Sequence, residues 1–149
     1  MKPIIGQPAP EWSLDLAWPN AIQSPAELRG QWSVLLFFHI GCAGCTGRAI
    51  PFTRELAARY PNVNLVAIHT DFESNTTREQ LKAVVDYFAL PYPVLRDNGA
   101  ATFRHYGAEG TPHWFLLDPN GVIQKSFFGS LGTALMRIDY TLGEAFQEG

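Results

Sequence analysis

The stretch Ser33-Val34-Leu35-Leu36-Phe37-Phe38-His39-Ile40-Gly41-Cys42-Ala43-Gly44-Cys45 decides how the rest of the chain is read. Ser33 to His39 is a short, nearly unbroken apolar run rich in aromatic side chains. That length and content predict a strand buried on both faces. Gly41, Gly44 and Gly47 then break the strand around two cysteines spaced two residues apart. Ile50, Phe52, Leu56 and Tyr60 recur at roughly helical spacing, so a helix is expected from about Cys42 or Cys45 to Tyr60. Pro51 inside it predicts a kink, because proline removes a backbone donor.

Cys42 and Cys45 are the chain's only cysteines. A bridge closing so small a loop removes almost no unfolded-chain entropy, so the pair is poor as a structural staple. It serves redox chemistry or a metal, or it is incidental. A cysteine that follows a buried strand and opens a helix stands at the positive end of the helix dipole, among unpaired N–H groups. Both favour the thiolate, the nucleophilic form. Cys42 is therefore the candidate nucleophile. Cys45, one turn on, is the candidate resolving thiol. His39 and Arg48 are candidates for tuning Cys42; the alternatives are a strand-end histidine bonded to backbone and a solvated helix charge. The run His39-x-x-Cys42-x-x-Cys45 also has the look of a partial zinc set, with His69, His105 or His113 as a fourth ligand. No second C-x-x-C or H-x-x-x-H accompanies it, so no metal is expected.

Outward from this core, the chain reads as one domain over residues 1–149. Residues 1–23 form an irregular or weakly β lead-in. Ser24-Pro25-Ala26-Glu27 is a helix-start signal. Val63 to His69 predicts a second buried strand. Thr76-Thr77-Arg78-Glu79 reads as a capping box ahead of the stripe Leu81, Val84, Val85 and Phe88, with Pro91 and Pro93 beyond it. Phe115-Leu116-Leu117 and Val122-Ile123 flank the turn Asp118-Pro119-Asn120-Gly121, a hairpin. Leu131, Leu135, Ile138 and Leu142 stripe a terminal helix. The order β, α, β, α, β-hairpin, α predicts an α/β fold, a mixed central sheet with helices on both faces and an N-terminal extension.

Composition narrows the function. The 149 residues carry 46% hydrophobic and 17% charged side chains, a globular balance. The net charge of −3 gives no reason to expect nucleic acid as a partner. Neither a signal-like apolar segment nor a membrane span is visible, so a cytoplasmic setting is expected.

With these motifs in place, the chain resembles the bacterial thioredoxin-like redoxins, nearest to the TlpA/ResA-type thiol–disulfide oxidoreductases of the AhpC/TSA–redoxin superfamily. Gly6-Gln7-Pro8-Ala9-Pro10 is similar to that family's G-x-x-A-P lead-in. Leu28-Arg29-Gly30-Gln31 and Val34 to Phe38 are similar to its L-x-G-K and first core strand. Phe88 to Asp97 (FALPYPVLRD) and Tyr106 to Asp118 (YGAEGTPHWFLLD) resemble two further family blocks. The resemblance implies a thioredoxin fold and a redox-active Cys42–Cys45 disulfide with no other cofactor. It also implies a cis peptide at Thr111–Pro112 facing the pair. Thr111, Pro112, Gly41, Ala43 and Gly44 would line the substrate site. The implied partners are a disulfide-bearing protein and a thiol electron donor. Without the resemblance, Pro112 reads equally as the start of a strand.

Several positions depart from the pattern. Gly41 stands where the family usually has Trp, and Gly44 where its C-x-P-C has Pro. Thr46, Gly47, Arg48 and Ala49 offer no acid past the second cysteine, and Leu36 replaces the buried Asp of thioredoxin. Proton handling then falls to water, His39 or another group. Two alternatives remain open at this stage. One is a binding or metal-binding module on the same fold without turnover. The other is a peroxiredoxin-like peroxidase, although His39 and Leu35 occupy the offsets where that motif needs Thr or Ser and Pro. His113 faces either the site or the far side of the sheet; Trp12, Trp18, Trp32 and Trp114 read as packing.

Overall fold

The computed structural model describes residues 4–15, 18–72 and 76–147; the expected lead-in at 1–3 and 16–17 lies outside them. A 3-10 turn (Pro25–Leu28) precedes strand β1 (Ser33–Phe38). A π-helical turn (Cys45–Ala49) runs into α1 (Ile50–Arg59), then come β2 (Asn64–Thr70), α2 (Arg78–Phe88) and β3 (Val94–Asp97). A second 3-10 turn (Asn98–Ala100) leads to α3 (Ala101–His105), followed by β4 (His113–Leu117), β5 (Ile123–Phe128) and α4 (Gly132–Gln147).

The five strands form one mixed sheet in the order β3-β2-β1-β4-β5. β1, β2 and β3 are parallel, with Phe38 opposite His69 and His69 opposite Arg96. β4 runs antiparallel to both β1 and β5. The steps β1 to β2 and β2 to β3 move the same way across the sheet. Right-handed crossovers therefore put α1 and α2 on one face. The packing agrees: Ile50 and Leu56 of α1, Leu81 of α2, and Ile138 and Leu142 of α4 share a core with Leu36, Phe38, Cys45 and Trp114. On the other face Leu35, Phe37, Ile68 and Phe115 pack against Leu28, Phe103 and Tyr106. All six residues of β1 are buried, as a run covered on both faces must be.

The lead-in is a strap that fastens to both edges of the sheet. At the β5 edge Gly6 N–H donates to the Ile123 carbonyl (2.8 Å) and Ile123 N–H to that of Gln7 (2.9 Å). At the β3 edge Asp15 N–H donates to the Arg96 carbonyl (2.8 Å) and Asn98 N–H to that of Ser13 (3.1 Å). Between them Trp12 and Leu14 cover the second core.

The structure corrects the sequence reading at four places. The strand β3 and helix α3 do not stand out in the sequence, since one has four residues beside two prolines and the other only five. The capping box of α2 lies one residue later: Thr77 caps, and Gln80 rather than Glu79 closes it. Thr76 is thereby released for other bonds, described below. The break expected at Pro51 is a π turn upstream of it, where Ile50 N–H reaches back to the Cys45 carbonyl. That wider turn spares a backbone that has lost the proline N–H. Leu131 precedes α4 and is exposed, so only Leu135, Ile138 and Leu142 of that stripe pack inward.

The β3–α3 junction is held by one buried carboxylate. Asp97 accepts from Thr102 N–H (2.8 Å), Phe103 N–H (2.9 Å) and the Thr70 hydroxyl (3.1 Å). Asp97→Ala leaves three buried donors without acceptors, and is expected to destabilise the protein by about 2–4 kcal/mol in urea unfolding.

Candidate active site

β1 delivers the chain to a tight bend at residues 39–42, and helical geometry begins at residues 43–44. Cys42 N–H donates to the His39 carbonyl (3.0 Å). The Cys42 carbonyl then accepts from Cys45 N–H and Thr46 N–H, both at 3.1 Å. Cys42 is therefore partly exposed at the mouth of the helix, while Cys45 faces inward and is fully buried. Both are free thiols.

The Thr111–Pro112 peptide is cis and faces this pair. Cys42 Sγ lies 3.5 Å from the Thr111 carbonyl oxygen, to which the thiol donates. The Pro112 carbonyl accepts from Gly129 N–H (2.8 Å), which fastens the loop to the end of β5. Trp114 stands beneath, its indole N–H on the Gly129 carbonyl and its ring edge-on to Phe52. This tryptophan is a packing residue.

The two sulfurs sit in opposite electrostatic settings. Burial pushes the Cys42 thiol up, but hydrogen bonds to its sulfur from the Cys45 thiol, from the Thr111 side chain and from the backbone of Cys45 and Gly44 outweigh it. The net result is a thiol more acidic than usual. Burial, reinforced by the adjacent Cys42 sulfur, pushes Cys45 up to about 12 from an ordinary 9.0. That displacement amounts to about 4 kcal/mol against the Cys45 thiolate. Cys42 is thus the sulfur that ionises, by a wide margin.

Of the other expected residues, Gly41, Ala43 and Gly44 form the bend itself. Gly44 has a steric role: a Cβ there would sit 2.6 Å from the Ser130 hydroxyl and 3.8 Å from Pro112. Ser130, from the loop after β5, occupies the space beside the position where the resembled motif carries proline. Arg48 is exposed on the helix and is not among the leading causes of the Cys42 shift, and neither is His39. The His39 ring is engaged elsewhere: Nδ1 accepts from Gly41 N–H (2.8 Å) and Nε2 lies 3.1 Å from Asp71 Oδ1. His113 faces the far side of the sheet from the cysteines. It stacks on Phe115, bonds to Ser126 at 2.6 Å, and is driven down to about 4 by burial.

Sequence reasoning passed over Asp71 and Arg96, read Thr76 only as a helix cap, and offered His69 as a possible fourth zinc ligand; His69 is fully buried near the end of β2. These residues meet beside the bend. Asp71 accepts from the Thr76 hydroxyl (2.7 Å) and pairs with Arg96 (3.2 Å), and Arg96 reaches Asp15 at 3.6 Å. Burial raises the Asp71 carboxyl, yet the bonds it accepts from Thr76, Arg96 and His39 help hold it below its ordinary value. Ligand atoms of His39, His69 and Asp71 lie within 4.8 Å of one another. Their lone pairs are engaged by Gly41, Ile40, Thr76 and Arg96, and a guanidinium against the carboxylate opposes a cation. This grouping takes in neither cysteine, so the partial zinc run His39-x-x-Cys42-x-x-Cys45 does not converge on one point.

The sequence matches the AhpC/TSA family over residues 5–126. It is 29% identical over 132 residues to the thiol:disulfide interchange protein DsbE of Allochromatium vinosum, covering 87% of this chain and 70% of that one. It is 28% identical over 105 residues to the thiol–disulfide oxidoreductase ResA of Bacillus thuringiensis, covering 69% of this chain and 58% of the relative's length. Among solved structures, a thiol–disulfide isomerase from Corynebacterium glutamicum superposes with a TM-score of 0.74 at 28% identity, covering 94% of this chain and 95% of that one. No helix of the described residues is long and apolar enough to cross a membrane.

Two measurements check this geometry. Iodoacetamide near neutral pH is expected to modify Cys42 alone. Its rate rises with pH through a midpoint below that of an ordinary thiol, while Cys45 stays protonated, read by peptide mass spectrometry. A double-mutant cycle of Gly44→Ala with Ser130→Ala is expected to show a coupling of about 1 kcal/mol in thermal unfolding, because removing the hydroxyl makes room for the new methyl group.

Proposed function

This chain belongs to the AhpC/TSA family, and with that as premise we propose that it is a thiol–disulfide oxidoreductase that reduces disulfides in proteins. The observation that carries the reading is the division of labour between the sulfurs: an acidic, accessible Cys42 and a buried Cys45 within one helical turn. The names of the DsbE and ResA relatives support it.

In the reaction, Cys42 thiolate attacks one sulfur of a substrate disulfide. The S–S bond breaks, a mixed disulfide forms on Cys42, and the other substrate sulfur leaves as a thiolate. Capture changes the setting of Cys45. The Cys42 sulfur is one of the groups that hold Cys45 protonated, through its charge and its hydrogen bond. Once Cys42 is capped, both influences end and Cys45 becomes more acidic. Its proton passes to the departing thiolate or to water. Cys45 then displaces the substrate from Cys42, closing the Cys42–Cys45 disulfide and releasing the second substrate thiol. The substrate gains two electrons and the protein loses two; a thiol donor restores the dithiol. The pair itself carries the electrons, so the exchange needs no other redox group. In a reducing, cytoplasm-like compartment, which is part of this proposal, the pair rests as the dithiol and acts as reductant.

The Thr111–Pro112 loop presents backbone groups beside Cys42, and in this reading the extended chain around the substrate disulfide pairs there. With dithiothreitol as regenerant, the protein is expected to accelerate insulin reduction. Cys42→Ser abolishes the acceleration, and Cys45→Ser accumulates mixed disulfides seen by mass spectrometry without reductant. Full activity in Cys42→Ser refutes the assignment.

A further inference from the structure

The bend that presents Cys42 exposes three consecutive backbone N–H groups, at residues 40, 41 and 42. An N–H group withdrawn from water without an acceptor is costly, which gives meaning to the partners of the half-buried Ile40 and Cys42; Gly41 is exposed, and its bond acts by fixing the bend's direction. Cys42 N–H uses a neighbouring carbonyl, that of His39. The other two use side chains: Ile40 N–H donates to His69 Nε2 (3.2 Å) and Gly41 N–H to His39 Nδ1 (2.8 Å). Building on the reading of Cys42 as the reacting sulfur, we infer that His39 and His69 are its positioning residues. They form a pair of neutral imidazole acceptors that clamp the two N–H groups ahead of it and fix where the sulfur sits.

An imidazole nitrogen accepts only when it carries no proton, so the bonds specify the tautomers. His39 is unprotonated at Nδ1 and donates from Nε2 to Asp71. His69 is unprotonated at Nε2 and carries its proton on Nδ1, a buried atom with no hydrogen-bond partner among the described residues. Such an orphan donor is a cost that core packing alone does not explain; the task of Nε2 does. Burial holds the His69 imidazole neutral by lowering its pKa. The two rings lie 4.8 Å apart, tilted by 34°. The groups around them come from several elements. Asp71 and Thr76 reach His39 from beyond β2 and ahead of α2, Arg96 of β3 holds Asp71, and Asp15 of the strap reaches Arg96.

The clamp also accounts for the glycine before Cys42. A Cβ at Gly41 would stand 3.0 Å from His39 Nδ1 and 3.2 Å from its Cε1. A large side chain at 41, such as the Trp of the resembled motif, competes with the ring for that space. With glycines at 41 and 44, the bend is stiffened by side chains, His39 two residues before Gly41 and His69 29 positions beyond Ile40.

The test uses the full chain with His39→Ala, His39→Asn, His69→Ala and His69→Gln. Asn at 39 keeps an acceptor where Nδ1 was, and Gln at 69 keeps one near Nε2. The readout is the pH profile of Cys42 alkylation, with thermal unfolding recorded alongside. Freed from the clamp, the Gly44 and Cys45 N–H groups lose their aim at the sulfur. Each Ala variant is then expected to shift the profile to higher pH and slow alkylation near neutral pH about tenfold, the equivalent of one hydrogen bond, while the Asn and Gln variants return to within about twofold of the parent. If Ala and amide variants share one profile, displaced or not, the clamp is wrong. Should His69→Ala fail to fold, the His39→Ala and His39→Asn pair decides alone. Insulin reduction separates the two claims. A parent that alkylates as described yet leaves insulin intact loses the oxidoreductase reading and keeps the clamp. Variants that reduce insulin with unaltered Cys42 profiles lose only the clamp.

Discussion

A sulfur anion needs hydrogen-bond donors, and on this chain the donors are backbone N–H groups whose direction is set by a bend. Everything around Cys42 serves that direction. β1, buried on both faces, fixes where the bend starts. The first helical turn aims the N–H groups of Gly44 and Cys45 at the sulfur. The Thr111–Pro112 loop, tied to β5 through Gly129, closes the other side. Cys45 inherits the opposite environment from the same helix, since one turn takes it from the mouth into the core. A single change of helical phase thus separates a thiol that ionises from one that does not.

This arrangement explains why the charged residues nearest in sequence are not the ones that matter. Arg48 follows the motif by one turn but points to solvent, where screening leaves an isolated charge little influence. The electrostatics come instead from oriented dipoles at short range, which depend on geometry more than on formal charge. The cluster of Asp15, His39, Asp71 and Arg96 fits the same view. It is a rigid brace across the ends of β1, β2 and β3, and its opposite charges pair with one another before reaching the sulfur.

The parts of the fold legible in the sequence were those with a strong local period. The β1 run, the α2 stripe, the Asp118–Gly121 turn and the strand–cysteine–helix order all follow from neighbouring residues. β3 was hidden because four residues beside Pro91 and Pro93 carry no period, and its pairing partner lies across a helical crossover. The cysteines were legible because their spacing is itself the signal. His69, Asp71, Thr76 and Arg96 were not, because they converge only through parallel pairing of β1, β2 and β3, which no local pattern records. One signal was available: His69 ends an apolar run, and a polar ring in that position needs a buried partner. The displaced capping box shows the finer limit. Two adjacent threonines compete for one cap, and the loser is the one whose hydroxyl Asp71 recruits.

The strap has a consequence for how the protein is made. Residues 6–9 find their partners at 121–123, and residues 13–15 find theirs at 96–98. During synthesis this segment leaves the ribosome before any of the strands it secures; its 13–15 half can close once β3 is out, while its 6–9 half waits until β5 begins to emerge. Such long-range closure is a slow topology for a chain of this size. Until β5 arrives, the rim beside β4 is open to other chains, so the newly made protein is exposed to aggregation at that edge.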